Sequence, residues 1–490
     1  MANKKLKVSL VSLLSSEQLR AHAEGWHTFN DLEPYGLQCV GAVADEEGHQ
    51  VRMFHPYQSA NPTEEQITTE VIDYQPDILA ISALTNAFSR ASDIAGRVKQ
   101  FSPKTLVVVG GDHITSYPRD LLEHSQIDLA VMGEGEHTFR EVLRSYAETR
   151  DLEKLKCING LAFVESEKLK LTSWRNRSLD RIQLSKPIRD KEVVQRSRVG
   201  ALMYPSMAKQ TGAGSVLFNF GCPLGCTYCT ETTVGNGKVG RGNSERVVEE
   251  FRVLKYLGVN TGMMLDLTFN LYSEKSESLC RDIAGANIGI NWYAMIRVTS
   301  PNGKPLVKSS LLEAMAIAGC SKVGFGIESF DVPAEMDYNR ICDLDESWKV
   351  MKHLDGCGIL SKALLMIGHP EETSEYYDKI KKYLKKSTPD EVRISFITPF
   401  PGTQLWNEKV ETGQWNIATR DYNKYTTFNP VVHMNQFSPE EAVSARREIL
   451  KDYYNSKEFR QHVVQKISKF PHLEESYYEF SQFLNRQKIV

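Results

Sequence analysis

Residues 218–229 read Phe218-Asn-Phe-Gly-Cys222-Pro-Leu-Gly-Cys226-Thr-Tyr-Cys229, a C-x3-C-x2-C run directly after an apolar stretch. Two glycines and a proline mark it as a loop. Thiolates at this spacing can wrap one small inorganic site. A [4Fe–4S] cluster takes four ligands, so three cysteines without a fourth leave one iron open for chemistry. Two other readings stay open on spacing alone. A structural zinc site wants a closed tetrahedral set, commonly as two C-x2-C pairs, and no second pair exists. Plain buried thiols are the third. The other six cysteines (Cys39, Cys157, Cys280, Cys320, Cys342 and Cys357) are scattered singly.

Outward from this loop, a βα series runs over 211–406. Strands are expected just before the loop and at 261–265, 291–296, 322–327, 361–367 and 391–397. Ser244 is expected to cap a helix that buries Val247, Val248, Phe251 and Leu254. Six strands fit a partial (β/α)6 barrel, whose functional groups lie at strand C-termini. Upstream, over 1–150, apolar runs at 5–14, 50–54, 77–82, 105–109 and 128–132 are continuous rather than alternating. That pattern marks strands buried on both faces, in an α/β, doubly wound, Rossmann-like parallel sheet. A helix over 35–47 is closed by Gly48.

Ligands of such sheets bind at the strand C-termini. Here those ends carry Ser12, Ser82, Thr85, Gly110-Gly111 and Gly133-Glu134. The glycines either admit a bulky ligand or merely make tight turns. Residues 151–210 read as a small hairpin and a linker, charged over 186–198, and 407–490 as a helical extension. Ser438-Pro439-Glu440-Glu441 opens one of its helices. Its tyrosines (Tyr422, Tyr425, Tyr453, Tyr454, Tyr477 and Tyr478) either roof a substrate site or pack between helices.

At 490 residues the chain exceeds one hydrophobic core, so at least two domains are expected. The balance of 59 basic and 62 acidic residues leaves a net charge of −3 and no footprint for nucleic acid. No apolar run is long enough to span a membrane, and the N-terminus lacks an export signal, so a cytoplasmic protein is expected. Nine cysteines are too sparse for a disulfide scaffold.

The cysteine run, with Tyr228 before the last cysteine, resembles the signature of the radical S-adenosylmethionine (SAM) superfamily. Gly324-Phe-Gly-Ile-Glu328-Ser, Met366-Ile-Gly-His-Pro-Glu-Glu-Thr373 and Thr398-Pro-Phe-Pro-Gly-Thr403 are similar to further family segments, in the usual order. The N-terminal part resembles the cobalamin-binding domain of one branch, through Leu32-Glu-Pro-Tyr-Gly36, Gly48-His49, Gly110-Gly-Asp-His-Ile-Thr115 and Gly133-Glu-Gly-Glu136. The resemblance implies three cofactors: a [4Fe–4S] cluster on Cys222, Cys226 and Cys229, SAM chelating the fourth iron, and cobalamin. It implies SAM contacts at Tyr228, Asp266, Arg297 and Glu328, each otherwise an ordinary barrel residue. Cobalamin contacts are expected at Ser12, Tyr57, Ser82, Thr85, Gly110, Gly111, Thr115, Gly133 and Glu134.

Two departures stand out. Relatives often carry two consecutive acids where this chain has Asp266-Leu267. The D-x-H-x-x-G run that supplies a cobalt-ligating histidine is absent; His113 and His55 are the nearest candidates, and both are expected to be solvated loop residues. The implied activity is a cobalamin-dependent radical SAM methyltransferase. It would methylate an unactivated carbon of a small molecule through a 5′-deoxyadenosyl radical and methylcobalamin, with flavodoxin or ferredoxin as electron donor. The alternatives are a cyclase, ring-rearranging or oxidative enzyme with the same cofactors, and a non-catalytic cobalamin or iron–sulfur sensor.

Overall fold

The computed structural model describes residues 5–14, 32–56, 63–175, 185–235, 237–300, 302–329 and 343–490. Five N-terminal strands form a parallel sheet: β1 (Lys7–Ser12), β2 (Gln50–Phe54), β3 (Ile78–Ser82), β4 (Leu106–Gly110) and β5 (Leu129–Val131). Their order, β2-β1-β3-β4-β5, reverses at β1/β3, the crevice where doubly wound sheets bind ligands. The apolar runs are buried as expected, on helix-covered faces whose cores hold Leu10, Val108 and Leu143 on one side and Ile81, Phe88 and Val109 on the other.

The expected hairpin forms from β6 (Leu161–Glu165) and β7 (Lys168–Leu171), but it is not part of a linker. It completes the N-terminal sheet, because β6 runs antiparallel to β5 with Ala130 opposite Ala162. Residues 186–198, expected as a linker, include the helix Lys191–Arg196, and the Arg189 side chain is buried in an ion cluster. Arg189 donates to Glu33 and Glu250, and to the carbonyl of Ser215 at 2.6 Å. Tyr35 donates to Glu250 at 3.0 Å. These bonds tie the start of the helix Tyr35–Glu46 to the barrel.

The barrel strands are β8 (Ala213–Val216), β11 (Thr261–Met264), β12 (Asn291–Ile296), β13 (Cys320–Glu328), β14 (Leu360–Ile367) and β15 (Glu391–Phe396). All pair in parallel, from β8 at one edge to β15 at the other. A short antiparallel pair, β9 (Asn219–Phe220) and β10 (Gly240–Arg241), pinches the base of the cysteine loop. The helix after it is capped by Asn243 rather than Ser244: the Asn243 carboxamide accepts from the Arg246 N–H, which places Ser244 inside the first turn.

Ser438 caps the helix Pro439–Tyr454 through a reciprocal capping box with Glu441. That helix, with Lys457–Lys469 and Glu474–Arg486, covers the β15 edge, where the Tyr454 hydroxyl accepts from the Val392 N–H at 2.8 Å. Tyr453, Tyr454 and Tyr477 are therefore packing residues near the N-terminal end of β15, away from the cysteine loop. Among the described residues, no helix is long and apolar enough to cross a membrane.

Candidate active site

The cysteine loop follows the C-terminal end of β8. Gly225, at φ +64°, adopts the left-handed backbone that lets the chain turn between Cys222 and Cys226. The Cys229 N–H donates to the Cys226 carbonyl at 3.1 Å, and the Leu405 N–H to the Thr227 carbonyl at 2.9 Å, so the last barrel loop holds the middle of the run. Beneath it, the buried Asp266 carboxylate accepts from the N–H groups of Phe218 and Asn219 at 2.8 and 2.7 Å. Burial pushes Asp266 up to about 7, and those two backbone bonds pull it back. Each Asp266 oxygen thus holds one backbone N–H of the strand leading into the loop, which ties the carboxylate expected at SAM to the positioning of that strand.

Burial raises Cys222 and pushes Cys229 up to about 12, with the neighbouring thiols adding to the shift. Metal binding, which takes thiolates, would reverse this. Arg297 is buried beside them. Its Nε donates to the Thr299 carbonyl at 2.6 Å, Nη1 lies 3.7 Å from the Cys226 sulfur, and the buried Nη2 has no partner. Such an orphaned charged donor fits the carboxylate of a bound ligand.

Glu328 ends β13 at φ +59°, beside a register break after Gly326. A non-glycine residue held there costs about 1–3 kcal/mol, strain that typically persists at functional positions. Tyr228 packs against Met366, Ile397 and Leu405.

Across from the cysteine loop, the sheet switch point opens onto a cavity of about 400 Å³. Ser82, Gly110, Gly111, Gly133 and Glu134 line its sheet side, and Asn219, Phe220, Leu265 and Leu267 its barrel side. Gly111, at φ +109°, lies so close to the next strand that a Cβ would sit 2.5 Å from the Ala83 carbonyl oxygen. The exposed Leu267 makes this wall part apolar, which fits the apolar face of a broad ligand.

Three of the residues expected at cobalamin do not themselves line this cavity. Thr115 bridges two turns, donating to the Gly111 carbonyl at 2.8 Å and accepting from the Gly133 N–H at 3.0 Å. Thr85 meets His113 at 3.2 Å, and Ser12, at the end of β1, does not line the cavity. Tyr57 lies outside the described residues. His113 and His55 are buried, not solvated. The two ring nitrogens of His113 are taken by Thr85 and by Asp120 at 2.8 Å. Among the described residues, no histidine lines the cavity. Sequence reasoning missed the barrel-side wall; the exposed apolar Leu267 beside Asp266 was the one signal that could have found it.

Two families match the chain: the B12 binding domain over residues 27–143 and the radical SAM superfamily over 216–384. An uncharacterized methyltransferase of Pyrococcus horikoshii is 30% identical over 427 residues, 86% of this chain and 87% of the relative. The chain belongs to the B12-binding radical SAM family. The cofactors of this radical SAM enzyme are a [4Fe–4S] cluster, SAM and cobalamin. An anaerobic magnesium-protoporphyrin IX monomethyl ester cyclase of Rubrivivax gelatinosus is 23% identical, over 90% of this chain and 77% of its own. Among solved structures, the radical SAM methyltransferase TsrM of Kitasatospora setae superposes with a TM-score of 0.66 at 17% identity, over 90% of this chain and 84% of its own. At that identity the likeness concerns the fold.

Proposed function

We propose that this enzyme methylates an unactivated carbon of a small molecule, drawing the methyl group from cobalamin and the initiating radical from SAM. When bound, the cofactors supply the hydrogen-abstracting radical and the methyl donor. Cys222, Cys226 and Cys229 hold three irons of the cluster. Arg297 binds the SAM carboxylate through its orphaned Nη2, Glu328 accepts from the SAM amino or ribose groups, and Tyr228 packs beside it. Ser82, Gly110, Gly111, Gly133 and Glu134 cradle cobalamin, while Leu265 and Leu267 keep water from its barrel-facing side.

The observation that carries this reading is the shared cavity: the glycine turns of one unit and the residues around the cysteine loop of the other line the same space. A methyl donor held there would lie between the glycine turns and the residues that lead into the cysteine loop. The methyltransferase relative supports the same reading, whereas the cyclase relative supports ring formation with the same cofactors. Product analysis separates them. Methyl transfer predicts S-adenosylhomocysteine and 5′-deoxyadenosine rising together with a product heavier by one methylene; 5′-deoxyadenosine without S-adenosylhomocysteine would favour the cyclase reading.

A further inference from the structure

The N-terminal halves of β13–β15 carry a second charged cluster, at the strand ends opposite the cysteine loop. Lys322 of β13 reaches across β14 to Glu391 of β15 and donates to the Leu202 carbonyl at 2.6 Å. Lys362 of β14 pairs with the other oxygen of Glu391 at 2.6 Å. One carboxylate thus serves two lysines, and Arg393 shares the same face two residues further along β15. Between the β15 edge and the covering helices lies a cavity of about 440 Å³. Lys362, Arg393, Arg446 and Arg447 line it, with Glu391 as its one acid.

Arg393 and Arg446 are held in place by aromatic rings. The Arg393 guanidinium lies 4.6 Å from the Phe428 ring centre, and that of Arg446 lies 5.6 Å from the same ring and 5.1 Å from Phe396. Arg446 also donates to the Phe428 carbonyl at 3.0 Å. Burial lowers Arg446 to about 10, and the like charges of Arg393 and Arg447 add to this. Burial likewise lowers Lys362 to about 8, against the pull of Glu391. Glu391 is shared by Lys322 and Lys362, and among the described residues the lining adds no second acid beside the half-buried Arg446 and the exposed Arg447, which leaves an oxyanion a favourable occupant. Planar guanidinium groups fixed on rings match the paired oxygens of phosphate or carboxylate.

We propose that this cavity is an oxyanion site that takes the phosphate or carboxylate group of a small molecule. It lies at the opposite strand ends from the proposed SAM and cobalamin contacts and does not depend on methyl transfer. The test uses the full, cofactor-loaded chain at low salt, titrated calorimetrically with inorganic phosphate and, separately, malonate. One of the two should bind saturably at one site per chain, raise the thermal midpoint and weaken with added salt. The preferred probe tells a phosphate-bearing from a carboxylate-bearing ligand. Arg446→Gln should weaken binding about tenfold or more and Arg447→Gln by a few-fold. Arg252→Gln, on a distant surface groove, should leave binding unchanged. No saturable binding of either probe, or equal binding by both cavity variants and the parent, would overturn the proposal.

Discussion

Arg297 is the side chain whose surroundings say most about its task. A buried guanidinium with one satisfied arm, one arm on a thiol and one arm empty is costly unless a ligand completes it. Arg297→Met should therefore keep its cluster iron but lose SAM affinity by about tenfold or more, read from the SAM-induced change in the cluster's electron paramagnetic resonance signal. Cys226→Ala should lose iron and sulfide while keeping cobalamin, because the glycine turns belong to the other sheet; equal loss of both would contradict the assignment. Asp266 acts at one remove. In Asp266→Asn an amide N–H faces a backbone N–H, which should cost about 1–3 kcal/mol in thermal or denaturant unfolding near pH 8. Its role was illegible in the sequence, since the bonds span 47 and 48 positions and no local pattern encodes them. The cysteine run was legible as a candidate ligand set because metal-ligand spacing is local, and the structure places it on the loop after the first barrel strand, as expected.

At the scale of elements, the proposed cobalamin site depends on the turns after β3, β4 and β5. Gly111→Ala adds a Cβ 2.5 Å from a backbone oxygen, at a φ that alanine rarely adopts. The variant should lose more than about 1 kcal/mol of stability and most bound cobalt, measured by thermal unfolding and metal analysis. The strands themselves were readable as continuous apolar runs, and the capping box at Ser438 as a sequence pattern. What escaped was pairing between elements. The β6–β7 hairpin carries ordinary turn chemistry, but nothing local says that it joins β5. Residues 186–198 look like a charged tether until Glu33 and Glu250 meet Arg189. Thr115, expected at the ligand, also holds two cavity-lining turns together, a bond pattern no local sequence encodes.

For the whole molecule, buried ion clusters join parts that the sequence presents separately. Lys466 of the C-terminal extension donates to Asp390 at 2.7 Å and to Asp355 at 2.9 Å, and His462 lies 2.8 Å from Asp390. Lys466→Met leaves the buried Asp390 with less countercharge and should cost about 3–5 kcal/mol. Burial alone would raise Glu391, but Lys322 and Lys362 outweigh it and hold this carboxyl at about 2, below its ordinary 4.5. Its contribution to stability is therefore present above pH 4.5 and lost as pH falls toward 2, a slope that Glu391→Gln should flatten in a series of thermal midpoints. In the proposed arrangement one chain holds an iron–sulfur cluster and cobalamin about one cavity. Anaerobic reconstitution with iron, sulfide and hydroxocobalamin, followed by metal counts on the desalted protein, should give about four irons and about one cobalt per chain. Four irons without cobalt would leave the cluster standing and contradict the shared cavity, and with it the proposed methyl transfer.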